Sequence, residues 1–226
     1  MQEVLPHIAL ETGKSPQHSI IWLHGLGADG EDFVPIAEEM ALPVAVRYLF
    51  PHAPKRPVTI NGGFIMRAWY DIAAAAIDAQ QDAAGIRAAQ ASIEALIAQE
   101  MQRGIAPGNI YLAGFSQGGA IALHTGLRSP QPLGGIIALS TYLLLAEMLA
   151  HEASAAAQST PIFMAHGRSD PVVPYALGKT SAERLRELGY QPEWHEYAMQ
   201  HSVCMEEVRD IAAWLTHRLE MAYDVP

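Results

Sequence analysis

The sequence predicts a single α/β domain, residues 1–226, in which helices cover both faces of a mostly parallel central β-sheet. Three observations lead to this prediction. Short apolar runs rich in β-branched and aromatic residues alternate with amphipathic stretches, the chain is long enough for one large core, and neither an internal repeat nor a Pro/Ser/Gly linker divides it. Strands that alternate with helices need crossover connections, and these produce parallel strand pairs.

The order of the elements follows from the hydrophobic pattern. Strands are predicted at residues 18–24, 44–50, 109–115, 134–140, 161–166 and 193–198, with a weaker one near the N-terminus. The clearest helix covers residues 79–103, where apolar side chains recur at helical spacing and Gly104 follows as a stop. Helical patterns also cover residues 31–40 and 202–220. No stretch is large enough to predict a separate cap domain.

Composition and charge exclude several classes of protein. Half of the residues are hydrophobic and 17% are charged, which excludes a disordered chain. No apolar run approaches eighteen residues, so no membrane span or integral membrane association is predicted. The net charge of −10 is dispersed and disfavours nucleic acid as a partner. A single cysteine, Cys204, excludes an internal disulfide, and the N-terminus lacks a secretory pattern, so a cytoplasmic protein is expected.

One motif suggests a nucleophile. The run Gly114-Phe115-Ser116-Gln117-Gly118 separates a strand-like segment from a helix-like one. A serine between glycines at such a junction is typical of a nucleophile elbow, a sharp strand-to-helix turn that carries the serine at its apex. The glycines are needed because a Cβ there would collide with neighbouring backbone. The pattern alone is weak, since ordinary glycine usage produces it in roughly one chain of this length in ten. Ser116 is therefore a candidate that needs suitable partners.

The partners of Ser116 are predicted from chain order. A serine hydroxyl needs a base that a third group orients, and proteins with this elbow carry them in the order Ser, Asp or Glu, His. Asp170 follows a predicted strand, and His201 lies in the loop between the last strand and the last helix. Both occupy the strand ends at which parallel sheets place reactive groups. His195 and His217 fall within a strand and a helix, so the predicted catalytic set is Ser116, Asp170 and His201.

A second glycine motif has two interpretations. Residues 25–30 read Gly-Leu-Gly-Ala-Asp-Gly after a strand, which taken alone predicts a dinucleotide site. That site needs an acidic residue at the end of the next strand, where the sequence has Pro51 and His52. The alternative is a loop whose backbone N–H binds an oxyanion. We favour it, with the N–H groups of Leu26 and Gln117 as the two donors. The sequence assigns no role to the Gln117 side chain.

The remaining polar residues and one long excursion carry less information. None of the ten histidines has the spacing of a zinc ligand pair, so no metal is predicted. His24 and His166 each precede a glycine at a strand end, and both loop support and a purely structural role stay open. The excursion at about 51–78 is rich in Pro and Gly. Its aromatic residues either line a substrate pocket or belong to an ordinary packed segment; the pocket candidates are Phe64, Trp69 and Tyr70.

Six blocks of sequence, taken together, are typical of a known family: residues 24–33, 50–54, 69–71, 114–120, 166–174 and 201–202. They resemble the carboxylesterase and acyl-protein thioesterase (lysophospholipase-like) family of α/β-hydrolases. The resemblance implies the same triad and oxyanion donors, no cofactor, a cytosolic enzyme that acts on a small-molecule ester, a homodimer, and an acyl groove lined in part by the excursion. Residues 140–145 are similar to the bacterial carboxylesterase type.

The sequence therefore predicts a serine carboxylester hydrolase that cleaves small to medium acyl esters through an acyl-enzyme intermediate. An acyl-protein thioesterase or lysophospholipase is the alternative within the same chemistry. A non-catalytic binding protein on a hydrolase scaffold is the alternative from another class.

Overall fold

The computed structural model describes residues 4–73 and 81–221. Its centre is a seven-stranded sheet in the order β1-β3-β2-β6-β7-β8-β9, in which β1 is antiparallel to β3 and the other neighbours are parallel. The strands are β1 (His7–Glu11), β2 (His18–Leu23), β3 (Val46–Pro51), β6 (Ile110–Phe115), β7 (Gly135–Leu139), β8 (Ile162–Gly167) and β9 (Pro192–Tyr197). A separate antiparallel hairpin is formed by β4 (Lys55–Val58) and β5 (Phe64–Arg67).

Helices follow the parallel strands; the first five lie in the connections between strands, and the sixth follows the last strand. They are α1 (Val34–Glu39), α2 (Ala83–Gln102), α3 (Gln117–Gly126), α4 (Ala146–Glu152), α5 (Tyr175–Glu187) and α6 (Met205–Met221). Short 3₁₀ turns lie at Thr59–Asn61, Pro107–Asn109 and Ala155–Ser159. None of the helices in the described ranges combines the length and the hydropathy that a membrane span needs.

Two hydrophobic cores lie on opposite faces of the sheet. In β2, Ile21 and Leu23 belong to one core, whereas Ile20 and Trp22 belong to the other, because successive strand residues point to opposite faces. The first core contains apolar side chains of α2, α3, α4 and α5, and the second contains those of α1 and α6. This arrangement confirms the predicted α/β fold with helices on both faces.

The predicted elements differ from the observed ones mainly at their ends. Helix α2 begins at Ala83, since the Asp82 carboxylate accepts a hydrogen bond from Gly85 N at 2.8 Å and caps the helix. Residues 79 and 80 of the predicted helix, and residues 74–78 of the predicted excursion, lie outside the described residues. The described part of the excursion contains the β4–β5 hairpin rather than an irregular loop.

Candidate active site

The Ser116 elbow is a strained turn between β6 and α3. Ser116 has φ 54° and ψ −120°, a conformation that a non-glycine residue rarely adopts. A Cβ at Gly114 would lie 2.4 Å from the backbone of Gly118, and a Cβ at Gly118 would lie 2.4 Å from the carbonyl oxygen of Leu23. The elbow therefore requires glycine on both sides of the serine, as the motif predicts.

The structure brings Ser116, His201 and Asp170 together. His201 Nε2 lies 2.9 Å from Ser116 Oγ, and His201 Nδ1 lies 2.7 Å from Asp170 Oδ2. An ionised carboxylate can only accept, so the imidazole donates from Nδ1 and leaves Nε2 to accept from the serine hydroxyl. The three residues follow β6, β9 and β8, at the C-terminal edge of the sheet.

Asp170 is held on both carboxylate oxygens. Its Oδ1 accepts hydrogen bonds from Val172 N at 2.8 Å and Val173 N at 2.9 Å, so that Oδ2 faces His201. His166 Nε2 bonds the Val173 carbonyl at 2.9 Å and lies 3.4 Å from Oδ2. Burial lowers the pKa of His166. His166 thus supports the loop that carries Asp170, which was one of the two roles left open by the sequence.

A cavity of about 260 Å³ opens beside the serine and contains both predicted donors, Leu26 and Gln117. Its other lining residues are Gly25, Ala28, Asp32, Tyr70, Ile72, Phe115, Ser116, Tyr142, Val172, Val173 and His201. The walls are mainly apolar or aromatic, with the reactive hydroxyl and imidazole at one side, which is the composition of a pocket for a small apolar ligand.

The glycine-rich loop after β2 lines this cavity with Gly25, Leu26 and Ala28. Ala28 N donates to the Gly25 carbonyl at 3.3 Å, and Gly27 has φ +79°, as the third position of a type II turn requires. Leu26 occupies the second position, whose N–H the turn does not use. On the other side α3 begins at Gln117, so the Gln117 N–H has no acceptor within its helix. The loop thus lines the same cavity as Ser116, which supports an oxyanion site rather than a dinucleotide site.

His24 connects this loop to the excursion. Its Nδ1 bonds the Gly25 carbonyl at 2.7 Å, and its Nε2 accepts from Ala53 N at 3.1 Å. The Trp69 indole N–H donates to the His24 carbonyl at 2.9 Å. Burial lowers the pKa of His24 from its ordinary value of 6.5 to about 4, so the ring is neutral at pH 7. Loop support, rather than packing alone, is the structural role of His24.

The excursion lines the cavity through one of its three predicted aromatics. Tyr70 does so, whereas Phe64 and Trp69 are not among the residues that line this cavity. Phe64 follows the Gly62-Gly63 turn at the tip of the hairpin and is 69% exposed. Trp69 is buried beneath the loop after β2, because its indole bonds His24 and packs on the His24 ring at a centroid distance of 5.3 Å.

Two further contacts at the site are not predicted by the sequence. Tyr142 lines the cavity, and its hydroxyl lies 2.9 Å from that of Tyr70, although the two residues are far apart in the chain. The Gln117 side chain bonds main-chain atoms of Trp69 and Tyr70. No spacing rule marks such contacts, since they join segments that meet only in the fold.

The sequence is similar to those of known proteins. Residues 6–219 match the family model described as Phospholipase/Carboxylesterase. The chain is 40% identical to acyl-protein thioesterase 1 of Neurospora crassa over 98% of this chain and 93% of that protein. It is 39% identical to acyl-protein thioesterase 1 of Gibberella zeae, over 90% and 92%.

Solved structures show the same fold. The crystal structure of Zea mays acyl-protein thioesterase 2 is similar with a TM-score of 0.84 and 29% identity, covering 95% of this chain and 99% of that one. Arabidopsis thaliana SOBER1 is similar with a TM-score of 0.85 and 32% identity, covering 89% and 99%. The particular likeness of residues 140–145 to bacterial carboxylesterases stays a prediction. The chain therefore belongs to the phospholipase/carboxylesterase family of α/β-hydrolases and is an enzyme of the serine hydrolase class.

Proposed function

We propose that this enzyme hydrolyses small to medium acyl esters through an acyl-enzyme intermediate, with Ser116, His201 and Asp170 as its catalytic residues. The observation that carries the proposal is the unbroken pair of hydrogen bonds, 2.9 Å and 2.7 Å, that joins the three side chains beside the cavity. A nucleophile, a base within reach and a group that orients the base are the parts that acyl transfer needs.

In the acylation half-reaction, Ser116 Oγ attacks the acyl carbonyl carbon while His201 Nε2 takes the hydroxyl proton. The carbonyl oxygen becomes an oxyanion, which the N–H groups of Leu26 and Gln117 stabilise. When the tetrahedral intermediate collapses, the bond from carbon to the leaving oxygen breaks, and His201 gives its proton to the departing alcohol. Asp170 holds the Nδ1–H tautomer and stabilises the imidazolium that forms between these transfers.

Deacylation repeats the sequence with water as the nucleophile. Water loses a proton to His201 Nε2 and attacks the ester carbon on Ser116 Oγ; collapse then releases the carboxylic acid and returns the proton to the serine. The proposal uses no cofactor and takes a small-molecule ester as the partner. Cytoplasmic location and a homodimer stay predictions.

A second substrate class, acyl thioesters, is favoured by one observation. The Neurospora crassa protein that is 40% identical over 98% of this chain is named an acyl-protein thioesterase. The same residues would serve, because attack on a thioester carbonyl produces the same oxyanion, whereas the sulfur leaving group needs less protonation. Values of kcat/KM for matched butyryl, octanoyl and palmitoyl esters and thioesters rank the two classes.

Replacing the nucleophile tests the proposal directly. We expect Ser116→Ala to lower kcat for p-nitrophenyl butyrate by about a millionfold, because the triad acts as a unit. The variant should also lose covalent labelling by a fluorophosphonate. Ser92→Ala is the matched control, since the Ser92 hydroxyl bonds the carbonyl of Ala88 in its own helix. Turnover near the wild-type rate in Ser116→Ala would refute the proposal, and so would failure of the wild type to label.

A further inference from the structure

We infer that the Gln117 side chain is a positioning residue of the oxyanion hole. It fixes the main-chain donor at Gln117 relative to the loop that carries the donor at Leu26. The inference rests on the proposed function, which assigns these two N–H groups to the oxyanion. It concerns a side chain that takes part in no bond-making step.

The contact consists of two hydrogen bonds to consecutive residues. Gln117 Oε1 accepts from Trp69 N at 2.8 Å, and Gln117 Nε2 donates to the Tyr70 carbonyl at 2.8 Å. Gln117 is 2% exposed, so water does not compete for these groups. Because the carboxamide is planar and bonds at two points, it fixes both the distance and the orientation of the Trp69–Tyr70 main chain. We call this pair of bonds the amide clamp.

The clamped segment in turn holds the loop of the second donor. The Trp69 indole N–H donates to the His24 carbonyl at 2.9 Å, and Gly27 N donates to the Arg67 carbonyl at 2.9 Å. These two bonds reach the loop on either side of Leu26. From Gln117, the amide clamp, the main chain of residues 67–69 and these two hydrogen bonds therefore lead to His24 and Gly27, which lie on either side of the second donor, Leu26.

The sheet alone does not set the distance between the main-chain donors at Leu26 and Gln117. The ladder between β2 and β6 has its last pair at Leu23 and Gly114, three residues before each donor. Beyond that pair, β2 leads into the glycine-rich turn, and β6 leads into the strained elbow at Ser116. The amide clamp joins the first residue of α3 to the Trp69–Tyr70 main chain beyond the end of this ladder. An amide suits the position because it supplies one acceptor and one donor on a single rigid group.

The clamp also contacts a residue of the substrate cavity, which gives a competing explanation. The Tyr70 ring lines the cavity, and its hydroxyl is bonded to that of Tyr142. If the clamp mainly shaped this wall, its loss would weaken substrate binding and raise KM. If it positions the donors, its loss lowers kcat, because the oxyanion develops only on the way to the transition state.

Two substitutions remove the clamp in different ways. Gln117→Met keeps a similar length and removes both polar partners. We expect kcat to fall about 10- to 100-fold with KM little changed, since a displacement near 1 Å or a weakened donor has effects of this size. A slowly leaving alkyl ester such as ethyl butyrate keeps acylation rate-limiting. Affinity for a trifluoromethyl ketone, which forms an oxyanion on the serine, should fall by the same factor as kcat/KM.

Gln117→Glu adds a readout that simple destabilisation does not produce. While the introduced carboxyl is protonated it can both accept from Trp69 N and donate to the Tyr70 carbonyl, and burial favours this neutral form. When it ionises, the donor is lost. The kcat of this variant divided by that of the wild type should therefore fall as the pH rises from 5 to 9, whereas the same ratio for Gln117→Met should stay level.

Gln158→Ala is the matched control, because Gln158 is exposed and bonds the Leu188 carbonyl far from the cavity. The inference is overturned if Gln117→Met is folded and keeps its kcat, if the change lies in KM alone, or if the Gln117→Glu ratio is independent of pH. Should Gln117→Met fail to fold, the pH dependence of Gln117→Glu decides. Failure of the wild type to label at Ser116 would instead contradict the proposed function, so the two failures are distinguishable.

Discussion

The two sides of Ser116 are built in different ways. On one side, Asp170 and His201 are side chains at the ends of β8 and β9, adjacent strands that run in register to Gly167 and Tyr197. Their loops stay paired beyond the strands, since Ser169 N donates to the Met199 carbonyl at 3.1 Å. The sheet itself therefore brings this acid and this base together.

On the other side, the candidate oxyanion donors are main-chain groups in two segments that leave the sheet before they meet. Their positions depend on hydrogen bonds to the excursion. The His24 ring bonds Ala53 N, and the Trp69 indole bonds the His24 carbonyl. The Gln117 amide bonds the main chain of Trp69 and Tyr70. Strand register therefore positions one side of the site, and a few buried polar side chains position the other. The two sides should respond differently to mutation.

A substitution on the triad side should lower kcat more than one on the main-chain side, even where it changes a single side-chain group. In Asp170→Asn, we expect the side-chain oxygen to keep the bonds to Val172 N and Val173 N, which leaves the new NH₂ facing His201. The imidazole must then accept at Nδ1 and carry its proton on Nε2, where it cannot take the serine proton. We expect kcat to fall about 10⁴-fold.

The measurement is kcat for p-nitrophenyl butyrate, with thermal unfolding recorded on the same sample. A melting temperature near that of the wild type, together with the loss of kcat, shows that the tautomer and not the fold is responsible. A loss smaller than tenfold would contradict the assignment of Asp170 and would remove the contrast between the two sides.

The main-chain side is tested by Gly27→Ala. The nearest atom to the added Cβ is Met66 Sδ at 3.7 Å, so the effect comes from the φ of +79° and not from a clash. An L-residue in this region costs about 1 kcal/mol, and relief of that strain should turn the Leu26 N–H away from the cavity. We expect kcat to fall about tenfold to a hundredfold, with both kcat and the free energy of unfolding measured.

Gly104→Ala is the control for this change. Gly104 has φ +97°, no atom within 4 Å of the added Cβ, and a place at the end of α2, away from the cavity. It should cost a similar free energy of unfolding and leave kcat unchanged. Equal losses of kcat in the two variants would mean that the loop after β2 has no special function.

The same contrast explains what the sequence could predict. The fold followed from the alternation of strand and helix patterns, and the triad candidates followed from strand ends and chain order, because both signals are local. The amide clamp left no signal, since any residue except proline at position 69, and any residue at position 70, offers the same peptide groups. The hairpin was not predicted because the many Pro and Gly residues of the excursion suggested an irregular loop. A two-stranded ribbon tolerates a proline such as Pro57, because both of its strands are edge strands.

The smallest expected effect concerns His24 and pH. Burial lowers its pKa to about 4 in the folded chain, against 6.5 in the unfolded chain. Between these values the unfolded chain binds a proton at His24 that the folded chain does not, so the free energy of unfolding falls as the pH falls. This contribution is complete above pH 6.5 and changes by at most about 1.4 kcal/mol per pH unit.

The substitution His24→Asn separates the contribution of His24 from that of other titrating groups. Asparagine keeps a donor for the Gly25 carbonyl but does not titrate. We expect the variant to be less stable than the wild type at pH 7.5, and the difference between them to narrow as the pH is lowered to 4.5. Urea unfolding at several pH values measures it, with His151→Asn on the exposed surface of α4 as the control. A difference that is the same at every pH would mean that His24 takes up its proton inside the folded loop. The main-chain side of the site would then tolerate a charge that its burial and its contacts with Gly25 and Ala53 should exclude.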